Sequence, residues 1–335
     1  MSKDAGNELT SAFVKEMLRE RRLDRRQRYW GHIFRIIIVV IAIGGGILSY
    51  SIVSGDGDES RYSTTIQATF TGSGEGIASM LIIPVRGVIV GDPLNNSALS
   101  SGGFLTDTTV NTVLAVRRAL ENATDLPGLA EIIFFVESPG GGITPSDEIY
   151  SMLRNWRAAH SEIRVSAYFY GSAASGAYYV AMAADTLAAN PTSLVGSIGV
   201  IMEIPNVAEL AERLGVKMTT IRTGEFKDMG NMFRNPTEAE IDLLNNLAMQ
   251  AYDRFVDVVA EGRPGLTRER ISALADGRVF SAHDALEAGL VDEIVPTFDA
   301  FIRSRVDLLR NERDFGELRV VLSSGRSRSL LDLFF

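Results

Sequence analysis

Apolar and polar positions follow two periods from Met80 onward. The runs MLIIPVRGVIV (80–90), EIIFFVE (131–137) and IRVSAYF (163–169) are β-branched or aromatic and bounded by turn residues, which predicts strands. Between them, residues 107–122 and 146–157 carry helical spacing; in the second, Ile149, Met152, Leu153 and Trp156 fall on one face. A further helix is expected to start at Asn235-Pro-Thr-Glu, with Asn235 as cap, Pro236 in the first turn and Glu238 placed for a capping box. Ile241, Leu244, Ala248, Tyr252, Phe255 and Val259 would then line one side. Such alternation predicts an α/β domain with parallel pairing, and residues 79–315 read as one domain.

Upstream the pattern changes. Ile36 to Val53 is an uncharged apolar run of 18 residues, roughly 27 Å as a helix and close to the ~30 Å hydrocarbon core of a bilayer. Trp30 and Tyr50 suit the two interfaces, and Arg35 can snorkel. Arg19, Arg21, Arg22, Arg25, Arg26 and Arg28 precede the run, whereas Asp56, Asp58 and Glu59 follow it. The positive-inside rule puts the N-terminus in the cytoplasm and everything beyond residue 54 outside. The long charged head and the lack of a small-x-small site favour an uncleaved anchor over a signal peptide. The expected organisation is therefore a basic head (1–31), an anchor (32–53), a Gly/Ser/Thr/Asp-rich linker (54–78), the domain, and a C-terminal tail (316–335) ending in Leu330-Leu-Asp-Leu-Phe-Phe.

Of 335 residues, 46% are hydrophobic and none is cysteine, which excludes a disordered chain, a disulfide framework and thiolate chemistry. The net charge of -9 is uneven: residues 1–35 carry +4 and the remainder -13, so the globular part is a poor nucleic-acid binder. The three histidines, His32, His160 and His283, have neither triad context nor metal spacing.

Candidate chemistry sits at strand ends. The strand 131–137 runs into Ser138-Pro139-Gly140-Gly141-Gly142, where glycines let backbone N–H groups point into a cleft as an oxyanion hole requires; taken alone, three glycines read first as a tight turn. The strand 163–169 runs into Gly171-Ser172-Ala173-Ala174-Ser175-Gly176-Ala177-Tyr178-Tyr179, placing Ser175 at a strand-to-helix turn; close helix–sheet packing is the alternative use of these small residues. Lysine usage is sharper. Against 29 arginines there are four lysines, of which only Lys217 and Lys227 lie in the domain. Arginine replaces lysine on a surface, but it cannot lose its proton and serve as a base. Lys227, in a turn after the expected strand Val216–Arg222, is the candidate base, with a solvated lysine as the plain alternative.

These segments, in order, resemble the S49 peptidase family, the signal peptide peptidase A group, over about residues 80–300. The matching pieces are Val85-Arg-Gly-Val-Ile, Ser138-Pro-Gly-Gly, Ala173-Ala-Ser-Gly-Ala-Tyr-Tyr, Gly196-Ser-Ile-Gly-Val, Thr223-Gly-Glu-Phe-Lys-Asp and Gly289-Leu-Val-Asp. The resemblance implies a ClpP/crotonase-like α/β domain behind a single N-terminal transmembrane helix, as in the family's short form. It also implies a serine–lysine dyad with Ser175 as nucleophile and Lys227 as base. Ser197 would orient the lysine, and the N–H groups of Gly140 or Gly141 and of Gly176 would form the oxyanion hole. A ring-like homo-oligomer, no metal or organic cofactor, and a place in the bacterial inner membrane with the domain on the extracytoplasmic side are implied too. Two positions depart from the pattern: Ala177 stands where a second glycine is frequent, and Glu137 where asparagine commonly precedes Ser-Pro-Gly-Gly.

The chemistry is coherent. Neutral Lys227 takes the Ser175 proton as the hydroxyl attacks a peptide carbonyl, then returns it to the leaving amine. Free lysine is protonated at neutral pH, so the dyad requires surroundings that disfavour the ammonium, and burial beside Phe226 is the expected source. Expected substrates are remnant signal peptides and other apolar membrane-associated segments. The competing readings are a crotonase-like acyl-CoA enzyme and a catalytically silent membrane-anchored scaffold that binds peptides.

Overall fold

The computed structural model describes residues 63–91 and 111–324. The basic head and the expected anchor lie outside the described residues, among which no helix is long and apolar enough to cross a membrane. The described chain runs β1 (Ser63–Thr71), β2 (Ile77–Ile89), α1 (Thr112–Ala123), β3 (Leu129–Gly141), α2 (Ile143–Ala159), β4 (Arg164–Ala174), α3 (Gly176–Ala181), β5 (Thr186–Ala189) and β6 (Leu194–Gly196). It continues with α4 (Ala208–Arg213), α5 (Glu238–Gly262), α6 (Arg268–Leu274), β7 (Val279–Ser281), α7 (Ala282–Glu287), β8 (Glu293–Ile294), α8 (Phe298–Glu312) and β9 (Glu317–Ser324).

One sheet takes the order β1-β9-β2-β3-β4-β5-β8, with β6 joined to β4 and β7 to β6. From β9 to β8 all pairs are parallel, and β1/β9 and β6/β7 are antiparallel. Central strands of a parallel sheet are covered on both faces, which explains the unbroken apolar runs. Ile132, Phe134 and Val136 enter a core shared with Val116, Tyr150, Leu153 and Val259, while Ile133 and Phe135 join Phe301, Val306 and Leu309 on the other face. The charged exception is Glu131 on β3, fully buried, whose Oε1 accepts from Arg305 Nε at 2.8 Å and Ser166 Oγ at 2.6 Å.

The structure corrects several expectations. Residues 63–71, expected to be linker, form an edge strand, and residues 317–324, expected to be tail, form β9 between β1 and β2. Both stretches were read by composition, and neither announces the partner it pairs with. The cap of α5 is Thr237, not Asn235, and the capping box closes with Glu240, not Glu238; the Asn235 side chain instead accepts from Asn206 Nδ2. No strand forms over residues 216–222, which are exposed throughout; β propensity without a neighbouring edge or a buried face does not make a strand.

Candidate active site

Three strands carry the site. β3 does not stop at Glu137 but continues through Gly141, held beside β2 by the pairs Val88↔Gly140 and Ile89↔Gly141. β4 likewise runs on to Ala174, because its last three residues change partner and pair with β6 (Ala174↔Gly196). The strand therefore delivers Ser175 to the junction with α3, where it caps the helix at φ 53°, ψ -125° and its N–H donates to the Gly196 carbonyl at 2.7 Å.

Among the described residues, two non-glycine residues have positive φ: Ser175 (53°) and Ser197 (49°). Such conformations cost about 1–3 kcal/mol each and persist where the surroundings impose them. Here β4–β6 pairing imposes the first, and the bond from Ser197 N–H to the Arg278 carbonyl (2.8 Å) fixes the second. The two strained serines flank the same ladder pair.

The glycines close on this point. Gly140 has φ 101°, and a methyl there would lie 2.7 Å from Gly176 N and 2.8 Å from Ser175 Cβ. A methyl on Gly176 would lie 2.3 Å from Ser146 Oγ and 3.2 Å from Gly141 N. The glycine turn and the serine turn thus touch backbone to backbone, which only residues without Cβ permit. The structure brings Ser175, Ser197, Gly140, Gly141 and Gly176 together. It also distinguishes the glycines: the Gly140 N–H donates to Ser138 Oγ at 3.1 Å, whereas Gly176 opens a helix and its N–H has no intrahelical acceptor.

Sequence reasoning missed Ser138 and Ser146. Both are buried; Ser138 holds Gly140, and Ser146 donates from Oγ to the Gly142 carbonyl at 2.8 Å while packing on Gly176. A serine two residues before a glycine turn was the available signal. Behind α3, burial pushes the Tyr178 phenol well above its usual range while its hydroxyl donates to the Leu290 carbonyl (2.8 Å).

Lys227 is placed differently. It lies in a turn of an exposed arm, residues 199–237, in which Ala211 alone is buried. Among the described residues no hydrogen bond or ion pair of the single chain joins its amine to Ser175 or Ser197, and Phe226, expected to shield it, is 42% exposed. The turn itself is firmly held. Asp228 accepts from Arg234 Nε and Nη2, both at 2.9 Å, and from Arg222 Nη1; Arg234 also binds Glu240 at 2.5 and 2.8 Å. Arg234 in the first place, then Arg222, holds the Asp228 carboxyl well below its usual range, and Arg234 with the Thr237 N–H holds Glu240 at about 2.

The histidines stand elsewhere. His160 stacks on Trp156 at 4.2 Å with its Nδ1 2.8 Å from the Trp156 carbonyl oxygen, His283 is exposed beside Glu287, and His32 lies outside the described residues. His283, Asp284 and Glu287 could together face one ion, but all are exposed and Asp284 accepts from the capping Ser281 hydroxyl (2.7 Å).

Known proteins resemble this chain in sequence over part of its length. The family model of peptidase family S49 matches residues 157–308 and that of Clp protease matches residues 90–195. Both cover Ser175; the first also covers Ser197 and Lys227, the second the glycine turn. A putative signal peptide peptidase SppA of Enterococcus faecium is 37% identical over 190 residues, 57% of this chain and 53% of that protein. The chloroplastic serine protease SPPA of Arabidopsis thaliana is 33% identical over 163 residues, 48% of this chain and 24% of that protein. This chain spans about half the length of the first of these relatives. A solved ClpP1 of Listeria monocytogenes is 17% identical, with a TM-score of 0.41 over 65% of this chain and 93% of that one.

Proposed function

The chain belongs to peptidase family S49, of the signal peptide peptidase A type, and from that premise we propose that it is a membrane-anchored serine endopeptidase working through Ser175 and Lys227. The observation that carries the reading is the turn at Ser175: a strained serine at a strand end, in backbone contact with a glycine turn from the neighbouring strand. In the proposed reaction the Ser175 hydroxyl attacks the scissile carbonyl, whose developing oxyanion is met by backbone N–H groups. With the Gly140 N–H engaged by Ser138, the donors in this reading are Gly141 and Gly176.

The base is Lys227, supplied by a second copy of the chain. This part of the reading rests on the arm that carries it. Ile201 is 82% exposed, Leu214 71% and Ile221 96%, and Ile241, Leu243, Leu247 and Met249 are exposed on the adjoining half of α5. So many exposed apolar side chains on one arm and the helix that follows it point to an association surface. A homo-oligomer covers it, and the same covering supplies the dry surroundings in which a lysine amine works as a base. Ser197, beside Ser175, is then placed to hydrogen-bond the incoming amine. Substrates in this reading are extended apolar peptides left in or near the bilayer, reached because residues 32–53 anchor the chain.

The test is hydrolysis of an apolar fluorogenic peptide by the full chain in detergent, with Ser175→Ala, Lys227→Ala and a variant lacking all three histidines. Loss in the first two and retention in the third supports the dyad. Loss with Ser175→Ala alone calls for another base. An assembled wild type that cleaves nothing across a broad peptide library supports the silent scaffold instead.

A further inference from the structure

We propose that Arg234 and Asp228 are positioning residues for Lys227, a statement that rests on the reading of Lys227 as the base. A base on an exposed arm faces a physical difficulty. Its turn, Gly224 to Gly230, has no buried side chain to fix it, and a misplacement of about 1 Å at a reacting group is enough to lose about 10²-fold in rate.

The ionic cluster beside it answers that difficulty. Every N–H of the Arg234 guanidinium is used: Nε and Nη2 fork onto the Asp228 carboxylate, Nη2 also reaches the Asp228 carbonyl (3.2 Å) and Glu240 Oε1, and Nη1 reaches Glu240 Oε2 and the Asn235 carbonyl (3.1 Å). Glu240 is itself tied to the start of α5, accepting from the Thr237 N–H at 2.8 Å, and its side chain is 2% exposed. From the other side, Arg222 holds the Glu225 carbonyl (2.8 Å) and Asp228. Asp228 follows Lys227 directly in the chain, so the peptide unit bearing the lysine is clamped to the first turn of a 25-residue helix.

Two further features favour a positioning role over an ordinary surface cluster. Only arginine, with its planar fork, joins two carboxylates bidentately. The cluster is also balanced, Arg222 and Arg234 against Asp228 and Glu240, so it adds no net charge beside an amine that acts only when neutral.

The experiment measures kcat, KM and the rate of Ser175 phosphonylation by a fluorophosphonate, in which the Oγ–P bond forms as fluoride leaves and which stays readable in slow variants. It uses the full chain in detergent, with Arg234→Gln, Arg234→Lys, Asp228→Asn, Lys227→Ala and the double variant Lys227→Ala/Arg234→Gln. Expected are at least tenfold losses in kcat for Arg234→Gln and Asp228→Asn with KM within twofold and assembly intact. Arg234→Lys fails to restore the rate, since an ammonium cannot fork. In the Lys227→Ala background, Arg234→Gln causes no further loss, because what it positions is already gone. Equal losses in both backgrounds, an unchanged kcat in Arg234→Gln, or collapse of the assembly in both Arg234→Gln and Asp228→Asn would each overturn the proposal. Full activity in Lys227→Ala removes the base assignment itself, an outcome distinct from an inactive Lys227→Ala beside an unaffected Arg234→Gln.

Discussion

Gly140→Ala isolates the contact on which the reading of the site depends. At φ 101° any side chain is strained, and the added methyl would lie 2.7 Å from Gly176 N, 2.8 Å from the Ala174 carbonyl oxygen and 2.8 Å from Ser175 Cβ. Ordinary contact with such atoms begins near ~3.4–3.5 Å, so the glycine turn and the serine turn must part by several tenths of an ångström. Neither can yield alone: β2 pairs with Gly140 and Gly141, and β6 pairs with Ala174.

The cost divides into two measurable parts. Backbone strain takes about 1–3 kcal/mol from stability. Displacement of the turn moves the Gly141 N–H away from Gly176, and losing one oxyanion donor lowers kcat by about 10²–10³-fold, or about 2.7–4 kcal/mol. Gly76→Ala is the control, since Gly76 has φ 84° but a methyl there meets nothing within 4 Å. It should lose stability by about 1–2 kcal/mol and keep kcat. The assay is urea unfolding together with kcat and KM on an apolar fluorogenic peptide. A folded Gly140→Ala enzyme with wild-type kcat would refute the reasoning, because the glycine turn would then not border the reacting centre.

Other consequences are open to direct measurement. Arg305→Met leaves the Glu131 carboxylate buried with only Ser166 as donor, and stability should fall by about 3–5 kcal/mol by urea unfolding; a loss under about 1 kcal/mol would mean that water reaches the pair. Ile221→Asp, at a side chain 96% exposed in the single chain, should leave the fold unchanged by circular dichroism yet break the assembly in sedimentation and abolish cleavage; an intact, active oligomer would place the interface elsewhere. Asp228 and Glu240 both have carboxyls depressed in the folded chain, Glu240 to about 2. Their contribution is therefore complete above the unfolded carboxylate range, ~4–4.5, and is lost as pH falls towards 2. Hydrogen-exchange protection over residues 223–240, taken relative to the intrinsic exchange rate at each pH, should fall between those limits, and a fall already at pH 6 would contradict this assignment.

Much of the fold was legible because burial in a parallel sheet leaves a mark that needs no partner information. Residues 132–136 are apolar on both faces, and Gly176 has to lack a side chain for the serine turn to lie against the glycine turn. What failed was any element whose identity depends on a distant neighbour. Residues 63–71 are rich in threonine, which suits a linker as well as a strand, and become β1 only because β9, the last eight residues of the described chain, pairs with them. The bond from Gly140 to Ser138 was hidden for a different reason: a serine before a glycine turn looks the same whether its hydroxyl faces solvent or the N–H two residues on.

Lys227 marks the boundary between these cases. It was singled out by composition, as one of two lysines in an arginine-rich domain, and composition carries no geometry. Pattern reading assumes that an apolar residue is buried by its own chain, and on that assumption Ile201, Leu214 and Ile221 should lie in a core. They lie in solvent instead, on the arm that bears the candidate base. The same physical rule that located the core therefore points outside the single chain here. If that surface is covered by a second copy, the lysine enters dry surroundings only on assembly, and catalysis should rise with oligomerisation more steeply than with protein concentration alone. Dilution through the association midpoint, followed by activity per subunit and by sedimentation in parallel, is the measurement: coincident losses tie the base to the partner copy, and constant activity per subunit in a dissociated chain would sever that link.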